Sequence, residues 1–169
     1  VLENLYGYGP VGGRELVESL PLAATSAKAR TRVAMTEELL RAHAAGEVEV
    51  AIGRASDYFG PGTTHSALGD FVFDAVLQGR TVQIMGNPGR LHTYSYTPDV
   101  AAGLVVLGAD LRATGSVWHL PVAQTWTTRQ VIDHVAGLAN TSPRVFAAGR
   151  TSLWLSGLVK PAMREYLHT

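Results

Sequence analysis

Residues 1–54 run from a strand-like segment through a helix-like segment to a second strand-like segment, and this order restricts the fold more than any other feature. Residues 1–6 and 47–54 carry mostly apolar side chains in the pattern of buried strands. Residues 26–44 between them are typical of a helix, which Gly46 ends. Strands joined through a helix pair in parallel with a right-handed crossover. The opening of the chain therefore predicts a parallel α/β sheet.

The rest of the chain continues this alternation, which extends the α/β class to all of it. Thr97, Pro98 and Asp99 supply a helix N-cap, a proline at the first helical position and an acid at the positive end. The helix they start, residues 99–107, is apolar nearly all round, so we expect it to be buried on more than one side. Further strands are predicted at residues 82–85, 92–96, 116–122 and 144–147, further helices at 67–78, 127–138 (with Thr127 and Gln130 as a capping box) and 152–168, and an irregular loop at 57–66.

The composition excludes several classes of protein. With 169 residues, 46% of them apolar and 17% charged, the chain suits one globular domain. Its formal net charge is zero, so no basic field exists to bind nucleic acid. We see no run of the ~20 apolar residues that span a membrane and no signal peptide, so we expect a cytoplasmic protein. Cysteine is absent and the six histidines lack metal-ligand spacing, so we expect no disulfide and no metal site.

Two cations stand at the start of one face of the predicted helix 26–44. Side chains that recur at steps of four and three share a helix face, and they are here Lys28, Arg32, Met35, Leu39 and Ala42. We expect this face to lie against the sheet. One interpretation of Lys28 and Arg32 is an anion-facing patch beside the carboxyl ends of the strands, where ligands of open α/β sheets bind. The other is a solvated first turn whose long side chains reach water.

Polar residues follow the second predicted strand. Residues 54–57 read Arg-Ala-Ser-Asp, and a Gly-Pro-Gly turn follows at residues 60–62, which places side chains at the rim of the sheet. A ligand site fits this position. A plain exit from the strand, in which Asp57 makes a local turn bond, fits it equally well.

The order of these motifs resembles the second half of the extended short-chain dehydrogenase/reductases, the NAD-dependent epimerase/dehydratase proteins. The matching segments are Asn4-Leu5-Tyr6-Gly7-Tyr8-Gly9-Pro10, Lys28 with Arg32, Arg54-x-x-Asp57-x-Phe59-Gly60-Pro61-Gly62, His92-x-Tyr94-x-Tyr96-x-x-Asp99-Val100-Ala101 and Val117-Trp118-His119-Leu120. The resemblance covers roughly residues 1–138. It implies the C-terminal part of a Rossmann-type parallel sheet with helices on both faces, plus a smaller substrate-binding α/β part.

The resemblance also implies a domain plan. Residues 1–169 would form one incomplete NAD(P)-binding domain, with late strands and a helix of the Rossmann sheet in residues 1–62 and mostly substrate-domain elements in residues 63–169. The family's G-x-x-G-x-x-G loop is absent from this sequence. The string Gly7-x-Gly9-x-x-Gly12 is a weak match to a dinucleotide loop, since no helix follows it at once. We therefore expect a C-terminal fragment that lacks half of its cofactor site.

The family's site residues carry over position by position, with NAD or NADP as the implied cofactor. Its Tyr-x-x-x-Lys pair performs acid–base chemistry while a Ser or Thr holds the substrate oxygen; here Lys28-x-x-x-Arg32 and Asn4 occupy those places. Arginine cannot release its proton, whereas Asn4 can still donate a hydrogen bond. The predicted sets are Asn4, Lys28 and Arg32 for catalysis, Lys28, Arg32, Ala55 and Ser56 for the cofactor, and Asp57, Phe59 and His92 for the substrate.

Two replacements bear on the substrate. Asp57 stands where the family carries Asn, and His92 stands where it often carries an Arg that holds a substrate phosphate. Together they argue against a nucleotide-diphosphate sugar. The first hypothesis is thus a fragment of an enzyme for a small polar substrate, sugar-like or a carbonyl or alcohol. The second is a non-catalytic NAD(P)-binding sensor, and the third is that this chain alone binds nothing. A homodimer is left open, and an uncovered sheet edge would favour self-association.

Overall fold

The computed structural model describes residues 1–64, 66–122 and 124–148. The fold is α/β, as predicted. The chain divides into two compact units, the first with Val1–Ser56 and Pro98–Pro121, the second with Asp57–Thr97 and residues 122–148. Within the described ranges no helix has the length and apolar character that crossing a membrane requires. The helix predicted at residues 152–168 lies outside the described residues.

The helices and most strands lie where the sequence pattern predicts, but the strand expected from residue 47 begins only at Ile52, and two short strands, Asp57–Phe59 and Thr125–Thr127, were not predicted. The strands are β1 (Leu2–Asn4), β2 (Ile52–Ala55), β3 (Asp57–Phe59), β4 (Val82–Met85), β5 (Leu91–Tyr96), β6 (Val117–His119), β7 (Thr125–Thr127) and β8 (Val145–Ala148). The helices are α1 (Ala27–Ala44), α2 (Asp70–Leu77), α3 (Thr97–Ala109) and α4 (Thr128–Ala139), with short 3-10 helices at Tyr6–Tyr8 and Leu111–Ala113.

The first unit is built on a three-stranded parallel sheet in the order β1-β2-β6. Alternate residues of a strand point to opposite faces of the sheet, and neighbouring residues of β2 show what covers each face. Arg54 points towards α1, where it reaches Thr36, whereas Gly53 lies against Leu104 of α3. Helices therefore cover both faces of this sheet, as the family resemblance implied.

The predicted sheet-facing side of α1 is wrong by one residue. Ser26 caps the helix through its hydroxyl, which accepts from the Ala29 amide, but the buried residues are Ala29 and Thr36 rather than their neighbours Lys28 and Met35, which are exposed. The pattern failed because the buried side carries a threonine, whose hydroxyl is paired with a carboxylate of the sheet. Burial of a hydroxyl is favourable when a polar group is matched beneath it, whereas the predicted face begins with Lys28, a cation that is costly to bury.

Helix α3 is buried on one side only, contrary to expectation. Val100 is buried and Leu104 lies against Gly53, but Val105 is 72% exposed and Val106 is 63% exposed. An apolar helix can be covered only where another element reaches it, and the described part of the chain places none against this side.

The second unit contains two small sheets, β3-β5-β7 and β4-β8, packed with α2 and α4. Its core is formed by side chains of these elements, among them Leu68, Val72, Val76, Val82 and Ile132. The capping box of α4 is confirmed. The loop predicted at residues 57–66 is partly wrong, because Asp57–Phe59 pairs in parallel with β5 and the turn begins only at Gly60.

Candidate functional site

The carboxyl edge of the first sheet holds three predicted site residues, Asn4, Ala55 and Ser56. Asn4 and Ala55 are register partners at the ends of β1 and β2, and Ser56 follows in the chain. The side-chain oxygen of Asn4 accepts a hydrogen bond of 3.1 Å from the Tyr6 amide, an interaction that favours a turn after the strand. Ala55 is 2% exposed, so the residue is buried at the end of the strand.

Lys28 lies near the same edge. Its ammonium nitrogen is 5.5 Å from the centre of the Tyr6 ring, within the range of a cation–π interaction. Lys28 is exposed, and Arg32 is half-buried one turn further along α1. The structure thus brings Lys28 close to the end of β1, while Arg32 lies deeper along the helix.

A row of ionisable side chains crosses this sheet, and sequence reasoning missed it. Glu3, Arg54 and His119 are successive register partners on the three strands. Glu3 and Arg54 are 5% and 4% exposed, and Arg54 Nε lies 3.5 Å from Glu3 Oε2. The Thr36 hydroxyl donates to the same carboxylate oxygen at 2.5 Å. The available signal was the presence of Glu3 and Arg54 in two segments that were predicted to be buried strands.

His119 joins this row to the chain that follows β1. Its Nε2 lies 2.7 Å from the Tyr8 hydroxyl, and its main-chain amide donates to Glu18 Oε1 at 2.9 Å. Burial lowers the pKa of His119 below its ordinary 6.5, and Arg54 lowers it further, while Glu18 acts in the opposite direction. The imidazole is therefore neutral at neutral pH, and Tyr8 donates when Nε2 carries no proton.

The lowered pKa of His119 predicts a loss of stability on acidification. Since the unfolded chain takes up this proton first, the free energy of unfolding should fall as pH drops from about 6.5 towards the folded-state pKa. Urea unfolding between pH 7.5 and 5.5 tests this. His119→Gln, which keeps a polar partner for Tyr8, should flatten the dependence, whereas His134→Gln in the second unit should leave it unchanged. An equally steep profile in His119→Gln would contradict the assignment.

In the second unit, the structure brings together two of the residues predicted to contact substrate. His92 Nε2 lies 3.0 Å from Asp57 Oδ2, with side chains 42% and 32% exposed, so the pair is open to water. The His92 ring packs at 4.6 Å from that of Tyr94. Phe59, the third predicted residue, packs instead against Tyr96 at 5.3 Å between ring centres and lies partly against the core.

Tyr94 connects this pair to α4. Its hydroxyl lies 2.7 Å from that of Thr128, and its ring is in the core. Burial raises the pKa of Tyr94 above 10.0, Thr128 opposes this, and the negative charge of Asp57 adds to it. Tyr94 therefore stays protonated at neutral pH, as a fixed hydrogen-bonding support beside the Asp57–His92 pair.

Comparison with known proteins identifies the family. The profile of the NAD dependent epimerase/dehydratase family matches residues 4–120, which is more than half of the chain. The chain belongs to this family, which confirms the resemblance to extended short-chain dehydrogenase/reductases. A search of curated proteins found no significant match.

Solved structures agree on the fold. The dTDP-glucose 4,6-dehydratase from Bacillus anthracis, in complex with NAD, has a TM-score of 0.77 at 16% identity, covering 88% of this chain and 48% of its own. The dTDP-glucose 4,6-dehydratase from Streptomyces venezuelae, with NAD bound, has a TM-score of 0.72 at 20% identity, and the match covers 89% of this chain and 47% of the dehydratase. The UDP-glucose 4-epimerase from Thermus thermophilus, in complex with NAD, has a TM-score of 0.66 at 22% identity, and the match covers 88% of this chain and 50% of the epimerase. The chain spans about half the length of these structures.

Proposed function

We propose that this chain is part of an NAD(P)-dependent epimerase, dehydratase or reductase that acts on a small polar substrate, sugar-like or a carbonyl or alcohol. The observation that carries the proposal is the family match over residues 4–120, combined with polar groups at the carboxyl edge of the parallel sheet. Ligands of open α/β sheets bind at such edges. Neighbours of the same fold that hold NAD support the cofactor class.

The residues at this edge fit one part of a nicotinamide dinucleotide. Lys28, which is exposed near the end of β1, and the main chain at Ala55 and Ser56 would hold the nicotinamide and its ribose. A pyrophosphate is held where a glycine-rich loop leads directly into the N-terminus of a helix. Within the described residues, the glycines at positions 7–13 do not lead into an α-helix in this way. When bound, the cofactor supplies hydride transfer.

The proton chemistry must differ from the family's usual form. Arg32 cannot act as an acid or base at neutral pH, and Lys28, being exposed, is placed to donate hydrogen bonds as a cation. Asn4 is proposed to hold a substrate oxygen through its amide. The Lys28-x-x-x-Arg32 arrangement would thus bind and orient, which leaves the proton transfer to another group.

Asp57, His92 and Phe59 are proposed to contact the substrate. A carboxylate that orients an imidazole is a common acid–base arrangement, and the 3.0 Å Asp57–His92 contact has this form. The Asp57 carboxylate would also repel a substrate phosphate. We therefore propose a substrate without a nucleotide diphosphate, and tight saturable binding of a UDP- or GDP-sugar would contradict this.

The alternative function is a non-catalytic NAD(P) sensor. The absence of the Tyr-x-x-x-Lys pair at Lys28 and Arg32 favours it, because that pair performs the family's proton transfer. Cofactor binding with no turnover of any carbonyl or alcohol tested would decide for the sensor. Turnover that disappears in His92→Gln would decide for the enzyme.

Fluorescence titration of NADH and NADPH tests the cofactor proposal on the full-length protein encoded by the gene. We expect saturable binding that weakens about tenfold in Lys28→Ala, the loss expected for one good hydrogen bond to a ribose. Arg41→Ala is the matched control, since it removes an exposed cation from the other end of α1. Failure of the full-length protein to bind either dinucleotide would refute the proposal.

A further inference from the structure

The connection between β1 and α1 is unusually long. Residues 9–25 contain no helix or strand. Unstructured connections beyond about 12–15 residues are uncommon and are usually either functional, as active-site lids and binding loops are, or disordered linkers. The connection starts at the carboxyl end of β1 and ends at Ser26, the cap of α1. It therefore lies at the edge of the sheet where a ligand would bind.

The two ends of this loop are held close together. The Ala23 amide donates to the Gly7 carbonyl oxygen at 3.0 Å. The Leu22 side chain packs close to the Cα of Gly7, in space that a side chain on Gly7 would need. Gly9 adopts φ 64° and ψ −163°, a backbone conformation that is essentially restricted to glycine. These contacts make a narrow base from which the rest of the loop extends.

The middle of the loop is joined to the sheet through Glu18. Its Oε1 accepts the main-chain amide of His119, the last residue of β6, at 2.9 Å. Between Gly9 and Glu18, the main-chain amide and the side-chain Nε of Arg14 both donate to the Val11 carbonyl oxygen. These two hydrogen bonds lie within the loop and do not attach it to the sheet. Residues 12–15 are exposed.

The Glu18–His119 bond is strongest when the carboxyl group is ionised. The His119 amide is the largest cause that lowers the pKa of Glu18 below 4.5; the amide of Glu18 itself and the charge of the His119 ring act the same way, and burial opposes them. The other groups that face this point are the Tyr8 hydroxyl, on the His119 ring, and the Arg54 guanidinium, 5.0 Å from the Tyr8 ring. Protonation of Glu18 would therefore weaken the attachment.

We propose that residues 9–25 form a lid over the carboxyl edge of the β1-β2-β6 sheet, latched in its closed position by the Glu18 carboxylate on the His119 amide. Glu18 is a positioning residue in this scheme. Opening of the lid admits the ligand, and closure excludes water from the edge. That this ligand is a dinucleotide or a polar carbonyl compound rests on the proposed function, whereas the latch itself does not.

Limited trypsin digestion reports the opening directly, because Arg14 lies in the middle of the lid. Cleavage of a transiently opened segment follows the open population when opening is fast. We expect cleavage after Arg14 to become roughly fivefold faster in Glu18→Ala, and less so in Glu18→Gln, which keeps a neutral acceptor. Glu47→Ala is the control, since it removes an exposed carboxylate from the α1–β2 connection. Unchanged cleavage in Glu18→Ala would overturn the proposal.

Nuclear magnetic resonance gives a second measurement that general destabilisation would not mimic. The His119 amide proton should shift in the wild type below pH 4.5, where Glu18 titrates. In Glu18→Gln this low-pH shift should be absent, and only the shift caused by titration of the His119 ring itself should remain. A His119 amide that is insensitive to Glu18→Gln would also overturn the latch. Neither measurement uses a cofactor, so a protein that bound no NAD(P) could still have the lid.

Discussion

Replacing Arg54 with methionine is expected to lower the free energy of unfolding by about 3–5 kcal/mol, the range for removing one partner of a buried ion pair. Arg54 is 4% exposed, and its guanidinium is the cation that faces Glu3. Glu3 Oε1 already has no hydrogen-bond partner within the described residues. Without Arg54, the Glu3 carboxylate would therefore be buried with only the Thr36 hydroxyl beside it. Urea unfolding at pH 7 measures the change.

Two further variants show whether the charge or the packing is responsible. Combining Glu3→Leu with Arg54→Met replaces both charges by apolar groups, so most of the lost stability should return. Thr36 keeps a partner in this double variant, the Arg32 carbonyl oxygen at 3.2 Å. Arg41→Met, which breaks an exposed pair with Glu38, should change stability by at most about 1 kcal/mol. A loss below about 1 kcal/mol in Arg54→Met alone would contradict the buried ion pair.

Replacing Gly9 with alanine is expected to cost about 3 kcal/mol, at the upper end for a strained backbone. Two effects combine at this position. Its φ of +64° disfavours any residue with a side chain, and an added Cβ would lie 2.0 Å from the Ala23 carbonyl oxygen. Relief of that clash must displace the base of the loop formed by residues 9–25. Urea unfolding gives the cost, and faster trypsin cleavage after Arg14 would report the displacement.

Gly12 offers a matched comparison in the same loop. Its φ is +65°, but an added Cβ would meet nothing within 4 Å. Gly12→Ala should therefore cost only about 1 kcal/mol, the conformational part alone. Equal losses of unfolding free energy in Gly9→Ala and Gly12→Ala would mean that the contact with Ala23 contributes nothing. That result would contradict close packing between Gly9 and Ala23.

Local signals were sufficient to predict most elements of this fold. The caps of α1 and α4 depend on residues within three positions of each other, Ser26 with Ala29 and Thr127 with Gln130. Such signals do not show which helix face is buried. Thr36 of α1 is buried because its hydroxyl pairs with the carboxylate of Glu3. Glu3 lies 33 residues away in the sequence, and helical periodicity contains no information about so distant a partner.

The candidate site shows the same division. The sequence placed Ala55, Ser56 and Asp57 directly after the second predicted strand but left Asn4 inside the first. In the structure Asn4 ends β1, opposite Ala55 at the end of β2. The pairing of Asp57 with His92, 35 residues apart, comes from the alignment of β3 with β5. No spacing in the sequence joins these two residues, although both were predicted separately to contact substrate.

The sequence by itself determined the α/β class, the family and the positions at which polar side chains follow the strands. These properties depend on short-range patterns and on motifs in a set order. Only the tertiary structure decided which charges are partners and whether they are buried. Glu3, Arg54 and His119 form one row because three strands align in register. The energy of a charge depends on its burial and its partner, and folding alone determines both.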